Sequence, residues 1–300
     1  SIGSDTRNRL AAIDVTGNGG IGTVTSFNAN ANGVVYALVL SGNTLYLGGI
    51  FRSIGGLSRN RIAAVDISTG TVTSFNPNAN YNVYTMVLDG STLYVGGAFT
   101  TIASQTRNRI AAIDVSTGLV TSFNPNANGN VYTMILDGST LYVGGGFSKI
   151  GDQSRGKIAT IDTTTGLATT FNPPNASSNV NTMVLSGSIL YVGGQFTSIG
   201  SDTRNYIAAI DITGNGGVGI VTSFNPDVNN SVWTMVLDGN TLYVGGQFTT
   251  IGSVSNKYIV AIDVTGNGGV GTVTSFNANA NGAVYALLLS GNTLYIGGSF

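Results

Sequence analysis

Hydrophobic residues recur along the chain in short runs, and the clearest example spans residues 82–99, NVYTMVLDGSTLYVGGAF. A first run, Val83 to Leu88, is separated from a second run, Leu93 to Phe99, by an Asp-Gly turn signal. Two such runs around a tight turn are typical of a β-hairpin. Both faces of these strands are apolar, so other parts of the protein must cover both of them.

The hairpin recurs six times, with a period near fifty residues. In the second unit two further strands are predicted, Ile110 to Val115 and Val120 to Phe123, joined by a Ser-Thr-Gly turn. No apolar period of 3.6 residues is present, so the pattern predicts no helices. An aspartate at the end of the third strand marks the repeat, at Asp14, Asp66, Asp114, Asp162, Asp211 and Asp263.

Four short strands per unit, repeated six times, predict an all-β, six-bladed β-propeller with four antiparallel strands per blade. A β-helix is disfavoured because it would need shorter and more uniform coils. We predict one domain, 1–300, with repeat units at about 1–52, 53–100, 101–148, 149–197, 198–249 and 250–300.

The two ends of the chain fit together as parts of one repeat. Placed before Ser1, the C-terminal residues up to Phe300 rebuild the internal segment 196–205 with one residue missing. We therefore expect the last blade to take two strands from each terminus, which closes the ring and removes free sheet edges. Because both ends fall within a repeat, we also expect the chain to be part of a longer protein.

The repeat resembles that of a known family. The order of apolar strand, Asp-Gly turn, Leu-Tyr-Val-Gly-Gly and Ile-Asp-x-x-Thr-Gly resembles the kelch repeat. The fuller string, with residues 107–114 and Ser122-Phe123-Asn124-Pro125, is more similar to the delta-sixty-repeat propellers of secreted bacterial surface proteins. The resemblance covers the whole chain and implies a propeller in which Val83 to Leu88 and its equivalents are the innermost strands.

Composition narrows the possible functions. Charged residues are 8% of the chain and the net charge is −1, so no broad basic surface exists to bind nucleic acid. The longest apolar run, Ala283 to Leu289, is far shorter than a membrane span, so we expect no membrane insertion. Without His or Cys there is no Ser-His-Asp triad, thiol nucleophile or imidazole metal site. The abundance of Gly, Asn, Thr and Ser suits a secreted or cell-surface protein.

The first candidate site is a loop that holds ten of the twelve basic residues. An arginine recurs at one position of this loop in five units and becomes Asn256 in the sixth. A crown of guanidinium groups would suit an anionic sugar or a carboxylate. The alternative, which the repetition favours, is that each arginine binds backbone carbonyls or a neighbouring Asp and fixes the blade geometry. The five residues are Arg7, Arg59, Arg107, Arg155 and Arg204.

The second candidate site is the aromatic residue near the start of each inner strand, which is replaced by Asn181 in the fourth unit. Flat rings there could stack on sugars, although packing between blades is the favoured interpretation. Trp233, the single Trp, is the preferred anchor for a ligand. The aromatic set is Tyr36, Tyr84, Tyr132, Trp233 and Tyr285.

The third candidate is the repeated aspartate, for which we favour capping of the following turn over cation binding. No cofactor is predicted. Calcium at the longer loops that begin at Asp14, Asp211 and Asp263 is the alternative, although these loops lack the alternating acidic ligands of calcium sites.

Together these features predict a non-catalytic binding module for adhesion or for recognition of protein or glycan. The predicted binding surface is the loop-rich face, which carries the basic loop and the Asn-Pro loop. The module is expected to belong to a larger protein, whose other domains are further partners. One alternative is a self-assembling scaffold without a small ligand. The other is a glycan hydrolase that uses a pair of aspartates from Asp5, Asp152, Asp202 and Asp227.

Overall fold

The structure, a computed structural model, describes residues 6–14 and 23–300. It is an all-β protein built from six repeated antiparallel sheet units, as the sequence predicts. The chain divides into two compact parts, residues 1–131 and 132–300, and each is described by itself. Within the described ranges, helix is limited to the short 3-10 turns Asn215–Gly217 and Asn267–Gly269, and none of it could span a membrane.

Each unit is an antiparallel meander whose strands pair in chain order. The first strands are Val35–Ser41, Val83–Asp89, Val131–Asp137, Val180–Ser186, Val232–Asp238 and Val284–Ser290. The second strands are Thr44–Gly49, Thr92–Gly97, Thr140–Gly145, Ile189–Gly194, Thr241–Gly246 and Thr293–Gly298. The third strands are Ile13–Asp14, Ile62–Asp66, Ile110–Asp114, Ile158–Asp162, Ile207–Asp211 and Ile259–Asp263.

The fourth strand is shorter than the sequence predicts. It is a two-residue strand at Thr23–Val24, Ile220–Val221 and Thr272–Val273. In the second unit the expected strand from Val120 to Phe123 is reduced to a single bridge between Val120 and Ile113. After this bridge the chain turns and buries Phe123, whose ring packs edge-on against Tyr94 with centroids 5.2 Å apart.

A small extra hairpin precedes most third strands, next to the basic loop and in a segment for which the sequence predicts no strands. Each copy pairs two residues with two across a tight turn and contributes one fully buried isoleucine, such as Ile102. The hairpins pair Ser53–Ile54 with Leu57–Ser58, Thr101–Ile102 with Gln105–Thr106, Lys149–Ile150 with Gln153–Ser154, Ser198–Ile199 with Asp202–Thr203, and Thr250–Ile251 with Val254–Ser255.

Glycine pairs at the ends of the second strands let neighbouring sheets approach closely. A Cβ at Gly48 would lie 2.5 Å from Cγ1 of Val83, the first residue of the next first strand. Between the first two sheets the packed core includes Tyr46, Met86 and Phe99. The approach of successive sheets therefore depends on the absence of a side chain at this repeated position.

The two terminal pieces are two-stranded sheets. One pairs Ile13–Asp14 with Thr23–Val24, and the other pairs Val284–Ser290 with Thr293–Gly298. Apolar side chains of the first and last hairpins are exposed: Leu38 is 51% exposed, whereas its equivalent Met86 in the second unit is 7% exposed, and Leu288 of the last hairpin is 64% exposed. The sheets therefore match the two halves of the predicted closing blade, and their pairing stays a prediction.

Candidate functional site

The loops lie at two ends of each sheet. At one end the basic loop meets the Asn-Pro loop, where the Asn108 amide donates to Oδ1 of Asn126 at 2.7 Å. At the other end the Asp-Gly turn meets the Ser-Thr-Gly turn, where the Val115 N–H donates to the Ser91 carbonyl at 2.9 Å. We call these the loop-rich end and the turn end.

The repeated arginines of the basic loop bind backbone carbonyls. In the second unit, Nη1 of Arg107 donates to the Thr106 carbonyl at 2.9 Å and Nη2 donates to the Thr121 carbonyl at 2.8 Å. The guanidinium therefore joins the small hairpin to the chain that follows the fourth strand. The expected structural interactions with carbonyls are confirmed, while ligand binding at these positions stays a prediction. The equivalent clamps are made by Arg7, Arg59, Arg155 and Arg204.

The aromatic position of the first strand lies at a β-bulge. In the second unit the register with the second strand shifts between Val83 and Thr85, leaving Tyr84 as the extra residue. A bulge redirects the side chain of the extra residue, and the sequence pattern did not predict it. The same shift occurs at Tyr36, Asn181, Trp233 and Tyr285. Tyr132 has the equivalent place in the first strand of the third unit.

Neighbouring aromatic residues at these bulges pack on each other. The rings of Tyr36 and Tyr84 are tilted with centroids 5.6 Å apart, and those of Trp233 and Tyr285 are tilted with centroids 6.3 Å apart. The favoured interpretation, packing between blades, is thus confirmed for these two pairs. Stacking of a sugar on the exposed part of a ring stays a prediction.

The fourth and fifth units depart from this pattern. Asn181 replaces the aromatic residue and donates from its amide to the Val232 carbonyl, 2.9 Å away on the next first strand. Beside it, the Asn179 amide donates to Oε1 of Gln195 at 3.0 Å. Nε1 of Trp233 is buried and has no hydrogen-bond partner in the structure. Trp233 directly follows Val232 in the chain, and on that basis we call Asn179, Asn181, Gln195 and Trp233 the Trp233 cluster.

The repeated aspartates cap the turns that follow them. Oδ1 of Asp114 accepts the N–H groups of Ser116 and Thr117, both at 2.9 Å, and also the Ser116 hydroxyl. The Ser116 hydroxyl, together with these N–H groups, holds the pKa of Asp114 below its usual range. The expected turn capping is confirmed at Asp66, Asp114, Asp162, Asp211 and Asp263, whose pKa values are all lowered by such hydrogen bonds.

The longer loops do not fit calcium. The loops from Asp211 and Asp263 each supply one carboxylate, and its Oδ1 already accepts the following threonine. Calcium takes six to eight oxygen ligands, often from several carboxylates. Asp14 ends a short strand, and residues 15–22 of its loop lie outside the described residues. No group of three or more His, Cys, Asp or Glu side chains placed to hold a metal occurs in the described part of the chain.

The aspartates considered for hydrolysis lie in separate turns and loops. Asp152 occupies the turn of a small hairpin with φ 61°, and Asp202 lies in the small hairpin of another unit. Asp227 accepts the Asn205 amide at 2.9 Å. Asp5 lies outside the described residues. Each of the three described carboxylates therefore lies in a small hairpin or a loop, and a catalytic pair among these aspartates stays a prediction.

Comparison with known proteins supports the fold. No protein-family model matches the chain, and no curated protein sequence matches it. A chain of the Mitotic Checkpoint Complex matches over 93% of this chain and 76% of its own, with a TM-score of 0.62 and 14% identity. The computationally designed Ika8 protein matches over 88% of this chain and 68% of its own, with a TM-score of 0.56 and 15% identity. The chain is therefore a repeat protein of β-propeller-like fold.

Proposed function

We propose that this chain is a non-catalytic, secreted or cell-surface binding module of a larger protein, recognising glycan or protein at the loop-rich end of its sheets. Most repeated polar side chains described above are engaged in hydrogen bonds that hold the fold. Trp233 differs because it is the single Trp of the chain and breaks the repeat, and its Nε1, like Nε of the repeated arginines, is a buried donor without a partner. A ligand or bound water that accepts this hydrogen bond would remove the cost of leaving the donor unpaired.

The composition of the Trp233 cluster suits a neutral polar ligand. Asn181 and Gln195 each use one atom of the side-chain amide within the protein, so Oδ1 of Asn181 and Nε2 of Gln195 can form hydrogen bonds with a ligand. Trp233 adds a partly exposed ring, and aromatic faces beside amides are a common way to bind sugars or peptide groups. No carboxylate pair is required for this function, so the module is proposed to be non-catalytic.

The proposed fold is a closed, six-bladed ring of the delta-sixty-repeat, kelch-like type. In the fifth unit Tyr243 pairs with Ala261, and the matching residues of the terminal sheets are Tyr295 and Ala12. Pairing of these two sheets would complete a four-stranded blade. Closing the ring would also bring the last hairpin, where Leu288 is 64% exposed, against the first hairpin, where Leu38 is 51% exposed.

A self-assembling scaffold is the second proposal, and the same exposed hairpins favour it. If the terminal sheets pair between two molecules, the chain would form oligomers through the contacts that otherwise close one ring. Analytical ultracentrifugation at micromolar concentration distinguishes a monomer, expected for a closed ring, from an oligomer or polymer, expected for the scaffold.

A glycan and protein array tests the binding module directly. We expect the wild-type chain to bind at least one glycan or protein, and Trp233→Ala to weaken that binding about tenfold or more. Trp233→Tyr restores the residue of the other units and is the matched control for folding, since it keeps a ring for packing against Tyr285. Absence of any ligand, or unchanged binding by Trp233→Ala, would refute the proposed site.

A further inference from the structure

A second departure from the repeat lies at the loop-rich end of the first two units. Arg52 precedes a small hairpin at a position that is Thr100, Ser148, Thr197 and Thr249 elsewhere. Tyr81 lies in the Asn-Pro loop at a position that is Gly33, Gly129, Ser178, Asn230 and Gly282 elsewhere. Repeat geometry explains neither residue, because the other units fold without them.

Both departures converge on Arg61. Its guanidinium carbon lies 5.9 Å from the centroid of the Tyr81 ring, a cation–π contact. Nη1 of Arg61 donates to the Ala79 carbonyl at 3.0 Å, while Nε is buried without a partner. Arg52 and Arg61 line the same depression in the surface. The structure therefore places two cations, Arg52 and Arg61, and the aromatic ring of Tyr81 close together at the loop-rich end.

The positive charge in this depression is not balanced by the residues that line it. The remaining lining residues are neutral, and several are polar, including Asn60, Asn78 and Ser104. Burial lowers the pKa of the Arg61 guanidinium and the charge of Arg52 lowers it further, with Tyr81 acting in the opposite direction. Two like charges held close together are stabilised when an anion binds between them.

Groups for recognising a polar ligand surround the two cations. Asn60 donates its amide to Oδ1 of Asn78, so Oδ1 of Asn60 and the amide nitrogen of Asn78 remain open to a ligand. Tyr81 is 55% exposed, which leaves part of its ring accessible while Arg61 lies over the ring. These groups suit an acidic sugar. Its hydroxyl groups would bind the amides, its apolar face would pack on the ring, and its carboxylate would bind the guanidinium groups.

We propose that Arg52, Arg61 and Tyr81 form a binding site for an acidic glycan, in which a uronic acid carboxylate lies between the two guanidinium groups. This inference rests on the proposed binding function and names its ligand class at a site separate in sequence from the Trp233 cluster. An equivalent depression one repeat earlier lies around Asn8, Arg9 and Asn30. There Gly33 replaces Tyr81, so we place the acidic-glycan site only at the depression lined by Arg52 and Arg61.

Calorimetry with tri-galacturonic acid and its methyl ester tests the proposal. We expect the full chain to bind the acid about tenfold or more tightly than the uncharged ester, and added salt to weaken binding of the acid. Arg52→Gln and Tyr81→Gly should each weaken binding of the acid about tenfold. Lys257→Gln removes an exposed cation from another unit and should change the affinity less than about twofold.

Several results would overturn the site. Equal affinity for acid and ester, or unchanged binding by Arg52→Gln, would exclude carboxylate recognition by these arginines. Equal binding of a poly-glutamate peptide would show that the site recognises acidic protein in place of glycan. If Trp233→Ala abolishes binding of the array ligands and Arg52→Gln changes the binding of none of them, this inference fails while the proposed function stands. If no ligand binds at all, both fail.

Discussion

Replacing Arg107 by Met separates a structural role of the repeated arginines from a role in binding. The guanidinium makes two hydrogen bonds to carbonyls, each involving a charged donor and so contributing about 1.5–3 kcal/mol. Nε of the same residue is buried without a partner, which offsets about 1–3 kcal/mol of that gain. Met keeps much of the apolar stem, so we expect the free energy of unfolding to fall by roughly 2–3 kcal/mol.

Urea unfolding followed by circular dichroism measures this change, with array binding recorded on the same samples. Arg107→Lys is the matched control because it keeps the charge but lacks the planar fork, so it should recover only part of the stability. Arg52→Met removes an exposed arginine that has no such clamp and should change stability by less than about 0.5 kcal/mol. An Arg107→Met protein as stable as the wild type, with ligand binding lost, would refute the structural interpretation.

Three further predictions concern pH, backbone strain and ring closure. Hydrogen bonds lower the folded-state pKa of Asp114 and its equivalents below 3.8, so these carboxylates stabilise the fold above that pH and lose this effect as the pH falls. The midpoint temperature of thermal unfolding should therefore decrease below about pH 3.8. The decrease should be less steep in Asp114→Asn. Ala103 has φ 49°, so Ala103→Gly should raise the free energy of unfolding by about 0.5–1 kcal/mol in urea titrations, and a decrease would contradict the strain argument. The chain has no cysteine, so oxidation of Ala12→Cys/Tyr295→Cys should give a disulfide-linked monomer if the ring closes, detected by non-reducing electrophoresis, whereas linked dimers would indicate pairing between molecules.

The strands of the repeat were predictable because their signals are local. Alternating apolar residues, the Asp-Gly turn and the Ile-Asp ending predicted the first three strands to within one or two residues, for example Ile110–Asp114. The role of Asp114 was predictable for the same reason, since its partners are two and three residues away. Short-range hydrogen bonds leave a signature in the sequence because both partners are fixed by one turn.

The remaining features depend on contacts between distant segments. The bulge at Tyr84 arises from the register with the second strand, and no residue type in the sequence marks it. The small hairpin at Thr101–Ile102 has only two residues in each strand, too few for a periodic pattern to be recognised. Likewise the meeting of Arg61 with Tyr81 joins two loops whose packing the sequence does not specify.

A repeated residue and a unique residue carry different information about function in such a protein. When the same side chain makes the same hydrogen bond in several units, as Arg59 and Arg107 do, the shared geometry already explains why it is present. A residue that breaks the repeat makes no contribution that the other units require, so its presence calls for a separate cause. Trp233 leaves a buried donor unpaired, and Arg52 adds a cation beside Arg61 where the other units have Thr or Ser. Both changes lack the compensation that a repeated contact supplies, and a bound ligand, as proposed above, would supply it.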